Sequence, residues 1–304
     1  MDPETTFQLF LDRLRSSSIA ESTLEANQQH YELPPEFFEL ILGPRRKYSG
    51  CEWPEGVTSL EQAELTALET VVTRSGLSDG QSILELGCGW GSLSLYLAER
   101  FPTSKILAVS NSTPQRHFIE AEAKRRSLGN LTVLTADINE FEPHSRFDRI
   151  LTIEMLEHVR NYPVLFGRIR DWLVPDGRLF VHVFRHKDFA YTFEAEGSEN
   201  WMGRHFFTGG VMPSHDLLIR VQSSLSLEQS WQINGTNYAR TADAWLRNLN
   251  ANRIGVEKVL EKHYGTEHSR VWLNRWRMFF IACRELFGFK DGSEWGVSHY
   301  LFKP

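Results

Sequence analysis

The sequence predicts an α/β fold, a mostly parallel seven-stranded sheet with helices on both faces, from three observations. Short apolar runs alternate with helical patterns of about ten residues between Ser82 and Val183, which is how a parallel sheet is wound. The first apolar run passes straight into a glycine-rich turn and then a helix. The chain has 304 residues with 24% charged and 41% hydrophobic side chains, enough to bury such a sheet on both faces.

Each element is legible in order. Residues 4–16 and 21–42 carry apolar positions at helical spacing, broken by Leu33-Pro34-Pro35, and suggest a helical cap. A helical pattern from Leu60 to Arg74 stops at Gly76. Strands follow at 82–86, 106–110, 131–135, 147–153 and 178–183, with helices at 93–101, 114–127 and 163–173 between them. Pro114 suits a first helical turn. After Val183 the alternation stops. Residues 185–222, rich in aromatics, Gly and His, read as an insertion over the carboxyl edge of the sheet, where open α/β folds bind ligands. A strand at 225–233, long helices near 241–264 and 267–287, and an alternating strand at 295–302 complete the chain. The expected division is a cap at 1–58, a core at 59–184, the insertion at 185–222 and the rest of the core at 223–304.

Composition excludes several classes. The net charge of −6 and the lack of a Lys/Arg block argue against nucleic acid. No run approaches the roughly 18 apolar residues of a membrane-spanning helix, so stable membrane insertion is not expected. The opening MDPETTFQLFLDRL has no basic region or apolar core of a signal peptide. Cys51, Cys88 and Cys283 are too few and too scattered for a disulfide framework or a Cys-based zinc site. A cytoplasmic, reducing setting is the expectation. The Asn-x-Ser/Thr triplets at Asn111, Asn130 and Asn234 then carry no meaning. His182 and His186 are four apart, but His182 falls on a strand, so they do not pair as helical ligands and no metal is implied.

The turn reads Glu85-Leu-Gly87-Cys-Gly89-Trp-Gly91. Glycines let the backbone approach a ligand, and the helix N-terminus offers free N–H groups. A dinucleotide loop has its third glycine three residues after the second. Here it comes two after, with an acid two residues before the first, the pattern of S-adenosyl-L-methionine enzymes with a Rossmann-like class I methyltransferase fold. Glu85 can meet the amino end of the methionine moiety. Asn111 and Gln115, after the second strand, can serve the ribose hydroxyls. Asp137, after the third, can accept from the adenine amino group while Ile138 covers the ring. The plainer reading of each polar residue is a turn or helix cap.

The fourth strand runs into Ile153-Glu154-Met155-Leu156-Glu157-His158. Two carboxylates and an imidazole at the ligand edge suit methyl transfer to an amine. The acceptor must present a lone pair, and a proton must leave. The plainer reading is a helix start with acids near its positive end.

Longer stretches carry a resemblance: HYELPPEFFELILGPRRKYS, LELGCGWGSLSLYLAERFP, SNSTPQ, IEMLEHVRNY, FFTGGVMPS, NGTNYARTADAWL and FFIACRELFGF. From about Asn27 to Pro304 the chain resembles the plant coclaurine N-methyltransferases, which group with the cyclopropane-fatty-acid synthases. The resemblance implies cofactor contacts at Ser49, Gly87, Asn111, Gln115, Asp137 and Ile153. It implies a catalytic cluster of Glu154, Glu157 and His158, with Glu157 and His158 holding and deprotonating the amine. Tyr31 and Glu32 resemble cap residues that face the acceptor. Trp201, Phe206 and Phe207 of the insertion could wall the pocket or be plain core. The partner is then a small amine, the product S-adenosyl-L-homocysteine, and a homodimer one option for assembly.

The synthases supply the competing expectation, modification of unsaturated lipid with a bicarbonate base. Glu157, His182 and Tyr238 match three residues of their bicarbonate site. Their cysteine beside Tyr48-Ser49 is Gly50 here, an aliphatic member is Phe184, and Glu154 stands where they have glycine. Cys283 matches another of their cysteines. The departures point toward an amine.

Overall fold

The apolar runs at 82–86, 105–110 and 147–153 lie side by side, mostly buried between helices, and the run at 131–135 adds a more exposed edge strand. The structure, a computed structural model, describes residues 3–21, 33–197 and 200–304. Its elements in chain order begin with α1 (Pro3–Arg15), α2 (Pro35–Ile41), α3 (Leu60–Ser75), β1 (Ser82–Leu86), α4 (Ser92–Arg100) and β2 (Lys105–Ser110). There follow α5 (Thr113–Arg125), β3 (Leu131–Thr135), β4 (Phe147–Ile153), α6 (Tyr162–Trp172) and β5 (Leu173–His186). The insertion holds β6 (Tyr191–Thr192), α7 (Trp201–His205), β7 (Val211–Met212) and α8 (Leu217–Arg220). The last elements are β8 (Ser226–Asn234), α9 (Thr236–Ala251), α10 (Arg253–Tyr264), α11 (Thr266–Gly288) and β9 (Trp295–Lys303).

The seven-stranded sheet has the order β3-β2-β1-β4-β5-β9-β8. Strands β1 to β5 are parallel, and β9 runs antiparallel between β5 and β8. The order reverses between β1 and β4, and the carboxyl ends of those strands open a crevice there. This is the mostly parallel seven-stranded α/β sheet expected from the alternation.

Local chemistry sets the boundaries. Ser59 and Gln62 form a capping box at the start of α3, and Gly76 ends it in a left-handed conformation. Asn161 caps α6 through the Val164 N–H. The sequence suggested one helix over 241–264; two helices meet instead at Asn252. There the Asn252 amide donates to the Leu40 carbonyl at 2.7 Å, and Asn248 donates to Ile41 at 3.0 Å. The two asparagines satisfy the last carbonyls of α2, and the break lets both helices pack on it.

The cap is divided between two cores. Leu11 and Leu14 of α1 join the face of the sheet that holds Leu165, Phe166 and Ile169 of α6. Phe37, Phe38 and Ile41 of α2 join a separate aromatic core with Trp245 and Trp276 of α9 and α11. Helices α3 and α4 cover the opposite face of the sheet. Tyr31 and Glu32 lie outside the described residues.

Candidate active site

The glycine turn hangs on β2: the N–H groups of Gly87 and Cys88 both donate to the Val109 carbonyl, at 2.9 and 3.0 Å. All three motif glycines have positive φ, between +52° and +78°. They differ in what faces them. A Cβ at Gly87 would lie 2.6 Å from the Met155 side chain, and one at Gly91 would lie 2.7 Å from Ile119. A Cβ at Gly89 would meet nothing within 4 Å. Gly89 therefore borders open space, a cavity of about 150 Å³. Ser49, Glu85, Gly87, Asn111, Gln115, Asp137, Ile138 and Ile153 share its wall. Gly91 does not; it begins α4 and packs on Ile119, so its place in the motif is structural.

The polar groups of this crevice fit S-adenosyl-L-methionine. Gln115 Nε2 and Ser92 Oγ are buried with no hydrogen-bond partner among the described residues. Glu85 is buried, accepts from the Ser94 hydroxyl, and is pushed up to about 8 by burial. An ammonium group beside it would favour its ionised form. Asp137 lines the cavity but also holds its own turn, one oxygen accepting from the Asn139 backbone and side chain, each at 2.8 Å. The turn reading of Asp137 holds, and its place on the cavity wall leaves it in reach of a ligand. Ser49 accepts at 2.6 Å from Lys47, a buried lysine that also donates to the Gly50 carbonyl at 2.6 Å.

Past the end of β4 the chain turns sharply. Glu154 has φ +48°, a conformation rare for a residue with a side chain. Its N–H is held by the His182 carbonyl at 2.8 Å. Its Oε1 accepts from the Gly50 N–H at 2.8 Å and contacts His182 Nε2 at 3.1 Å, and its Oε2 accepts from the Tyr238 hydroxyl at 2.9 Å. Burial raises its pKa, while the Lys47 cation, Gly50 N–H and Tyr238 hydroxyl act to lower it. A Cβ at Gly50 would lie 2.7 Å from the Tyr238 ring, so glycine there lets both groups reach the carboxylate.

Glu154, His158 and Tyr48 line this crevice and also a second, apolar cavity of about 90 Å³. Burial holds His158 down at about 4, so its imidazole is neutral near pH 7. Glu157 lies behind this wall. It is wholly buried and lines neither cavity, with Oε1 on the Phe184 N–H at 2.8 Å and Oε2 unpartnered among the described residues. Burial and the neighbouring Glu154 hold it well above the usual carboxylate range.

Phe184 and Tyr238 line the second cavity, joined by Phe193, Phe207, Met202 and Met212. Phe207 packs on His158 with ring centres 4.8 Å apart. Trp201 and Phe206 do not face it. Phe206 is fully buried and stacks on Phe279 at 4.5 Å, with Trp201 against its other side at 5.3 Å. These two follow the plain-core reading of the insertion, because α7 turns Phe206 inward while Phe207 faces the cavity. His182 sits behind Glu154 and touches neither space. Lys47, Tyr48 and Phe193 were not singled out in the sequence; Lys47 and Tyr48 flank Ser49, but nothing in the spacing said that a lysine there would be buried.

The family described as Mycolic acid cyclopropane synthetase matches residues 19–293. An (S)-coclaurine N-methyltransferase of Thalictrum flavum subsp. glaucum is 36% identical over 95% of this chain and 81% of its own length. The chain belongs to the coclaurine N-methyltransferase family. It is an S-adenosylmethionine-dependent N-methyltransferase. The crystal structure of a coclaurine N-methyltransferase bound to N-methylheliamine and SAH superimposes with a TM-score of 0.95, at 36% identity, over 100% of this chain and 89% of that one. A cyclopropane-fatty-acyl-phospholipid synthase of Escherichia coli (strain K12) is more distant, 25% identical over 89% of this chain and 66% of its own length. The crevice at the ends of β1 and β4 has polar groups that suit this cofactor, and the apolar cavity adjoins it through Tyr48, Glu154 and His158. No helix among the described residues is long and apolar enough to cross a membrane.

Proposed function

We propose that this enzyme methylates the nitrogen of a small aromatic, alkaloid-like amine seated in the cavity between Glu154 and Phe207. One observation carries the reading: a buried carboxylate, Glu154, is fixed by three donors on the wall shared by the two cavities. S-adenosylmethionine, when bound, supplies a methyl group made electrophilic by a positively charged sulfur. The protein must collect a cationic amine, free its lone pair and aim it.

Glu154 draws the ammonium form into an otherwise apolar space. Oε1 already accepts from two donors, whereas Oε2 accepts only from Tyr238 and keeps a lone pair for the amine proton. A carboxylate raised by burial is a better proton acceptor at neutral pH than an exposed one. His158, neutral beside it, accepts a second amine hydrogen and limits rotation of the nitrogen. The nitrogen gains a carbon and loses a proton, and the proton leaves on Oε2 toward the cavity. Glu157 acts from behind by fixing the Phe184 backbone. Phe184, Phe193 and Phe207 hold the flat body of the acceptor and favour its positive charge.

The lipid alternative is disfavoured by the same geometry. Gly50, His182 and Tyr238, which correspond to the bicarbonate site of the synthases, are here occupied by the Glu154 carboxylate. The three cysteines are buried and unpaired, in keeping with a cytoplasmic setting. A homodimer is the assembly to test by sedimentation.

The deciding experiment offers labelled cofactor with a panel of aromatic amines and, separately, with unsaturated phospholipid vesicles. Products are read by mass spectrometry. A methyl group on nitrogen is expected; label in lipid alone would reject the proposal.

A further inference from the structure

His182 belongs to a row that crosses the sheet. Ile153 on β4 is in register with His182 on β5, His182 with His299 on β9, and His299 with Trp231 on β8. Glu154 follows Ile153 at one end of the row. At the other end the Arg74 guanidinium, from the last turn of α3, lies over the Trp231 ring at 5.1 Å and pairs with Glu52 at 3.8 Å. Between them the polar atoms form one chain. Arg74 Nη1 is 2.6 Å from His299 Nδ1, His299 Nε2 is 2.8 Å from His182 Nδ1, and His182 Nε2 is 3.1 Å from Glu154 Oε1.

The direction of this chain follows from its far end. A guanidinium donates and cannot accept. His299 Nδ1 must therefore accept, which leaves its proton on Nε2. That N–H donates to His182 Nδ1, so the His182 proton is on Nε2 and points at Glu154. Burial, together with the Arg74 and Lys47 cations, disfavours imidazolium at both rings, so each carries one ring proton. We propose that Arg74 is a positioning residue for the reaction, fixing the tautomers of His299 and His182 so that His182 is a permanent hydrogen-bond donor to Glu154.

Two consequences follow. A donor on Oε1 favours the anionic form of Glu154 and reserves Oε2 for the amine. The row cannot carry the amine proton away, because Arg74 keeps His299 Nδ1 blocked; the proton must leave on the cavity side. The titratable and charged groups that face Glu154 are Lys47, His158, Glu157, the Tyr238 hydroxyl and the thiols of Cys51 and Cys283, besides His182. The proposal rests on the reading that Glu154 faces the acceptor, but its first test does not.

That test is the ¹⁵N spectrum of the histidine rings in the wild-type enzyme without acceptor. Protonated Nε2 and bare Nδ1 are expected at both His182 and His299. A proton on Nδ1 of either ring overturns the proposal, whatever amine the enzyme accepts. The second test is kinetic. Arg74→Met should mix the tautomers, lower kcat roughly tenfold, as for a lost hydrogen bond to a charged group, and move the acidic limb of the kcat profile to higher pH. KM for the cofactor should not change. Arg74→Lys, which keeps a cationic donor, should recover kcat to within about threefold. An Arg74→Met enzyme with wild-type kcat and pH profile overturns the role. If that variant does not fold, the wild-type spectrum still decides. Failure to methylate any amine, with the expected spectrum, strikes only the acceptor assignment.

Discussion

At Gly89 and Glu154 the chemistry rests on single side chains or their absence. A side chain at Gly89 would project into the cofactor crevice from a left-handed backbone. Gly89→Val is expected to abolish calorimetric binding of S-adenosylhomocysteine; unchanged heat would remove the crevice assignment. Glu154→Gln keeps the shape and loses the charge. It should cut kcat about a hundredfold, the usual scale for a lost proton acceptor, with cofactor affinity within a factor of a few. Equal losses in both would mean that Glu154 serves the fold and not the acceptor. His158 carries a pH signature. Its pKa falls from 6.5 to about 4 on folding, so its neutral form is the one the fold prefers. Stability from this group is complete above pH 6.5 and is lost as pH drops through about 4. Urea midpoints should decline over that window, and His158→Leu should flatten the decline.

At the scale of the element, the segment between α2 and α3 decides whether the crevice has a roof. It has no regular structure, and one carboxylate on α3 shapes it. Glu64 is fully buried and accepts from the N–H groups of Arg45 at 2.9 Å and Lys47 at 3.2 Å. Gly43 sits so close that a Cβ would lie 2.5 Å from that carboxylate. Lys47, Tyr48 and Ser49 of this segment line the crevice. Glu64→Ala should therefore weaken cofactor binding although Glu64 does not line the cofactor cavity. The expected loss of stability is about 1–3 kcal/mol for each donor left unpaired. Chemical denaturation and calorimetry on one sample separate the two effects; intact affinity would show that the roof does not depend on Glu64. Little of this was readable beforehand. Glu64 lies on a helix whose pattern reads as amphipathic, and only the fold reveals that it faces a loop and not solvent.

At the scale of the molecule, the crevice joins elements from most of the chain: the 47–49 segment, the ends of β1, β2, β3 and β4, and Glu21 near the N-terminus. A ligand that binds there holds all of them together. S-adenosylhomocysteine at about one hundred times its Kd should add about 2.7 kcal/mol, or roughly 4 °C in Tm for a chain of this size. Calorimetry that finds no shift would mean that the nucleoside does not bind the folded chain. The crevice walls were largely legible from sequence because each lies at the end of a strand, and strand ends can be found from apolar periodicity. The acceptor cavity was not. Phe193, Phe207, Phe279 and Phe287 come from the insertion and from α11, and nothing local tells which aromatic of Phe206 and Phe207 turns outward.

The residues by themselves determined the strand order of chemistry: an acid and three glycines at one turn, and two acids and a histidine at another. Local rules suffice there, since turn conformation and strand ends depend on neighbours in the chain. Tertiary structure alone decided the division of labour within the acidic cluster. Glu154 and Glu157 are three residues apart and alike in kind, yet one faces both cavities and the other is sealed behind them. The cause is distant: Gly50, His182 and Tyr238, on three other parts of the chain, converge on Glu154, and only folding brings those donors together.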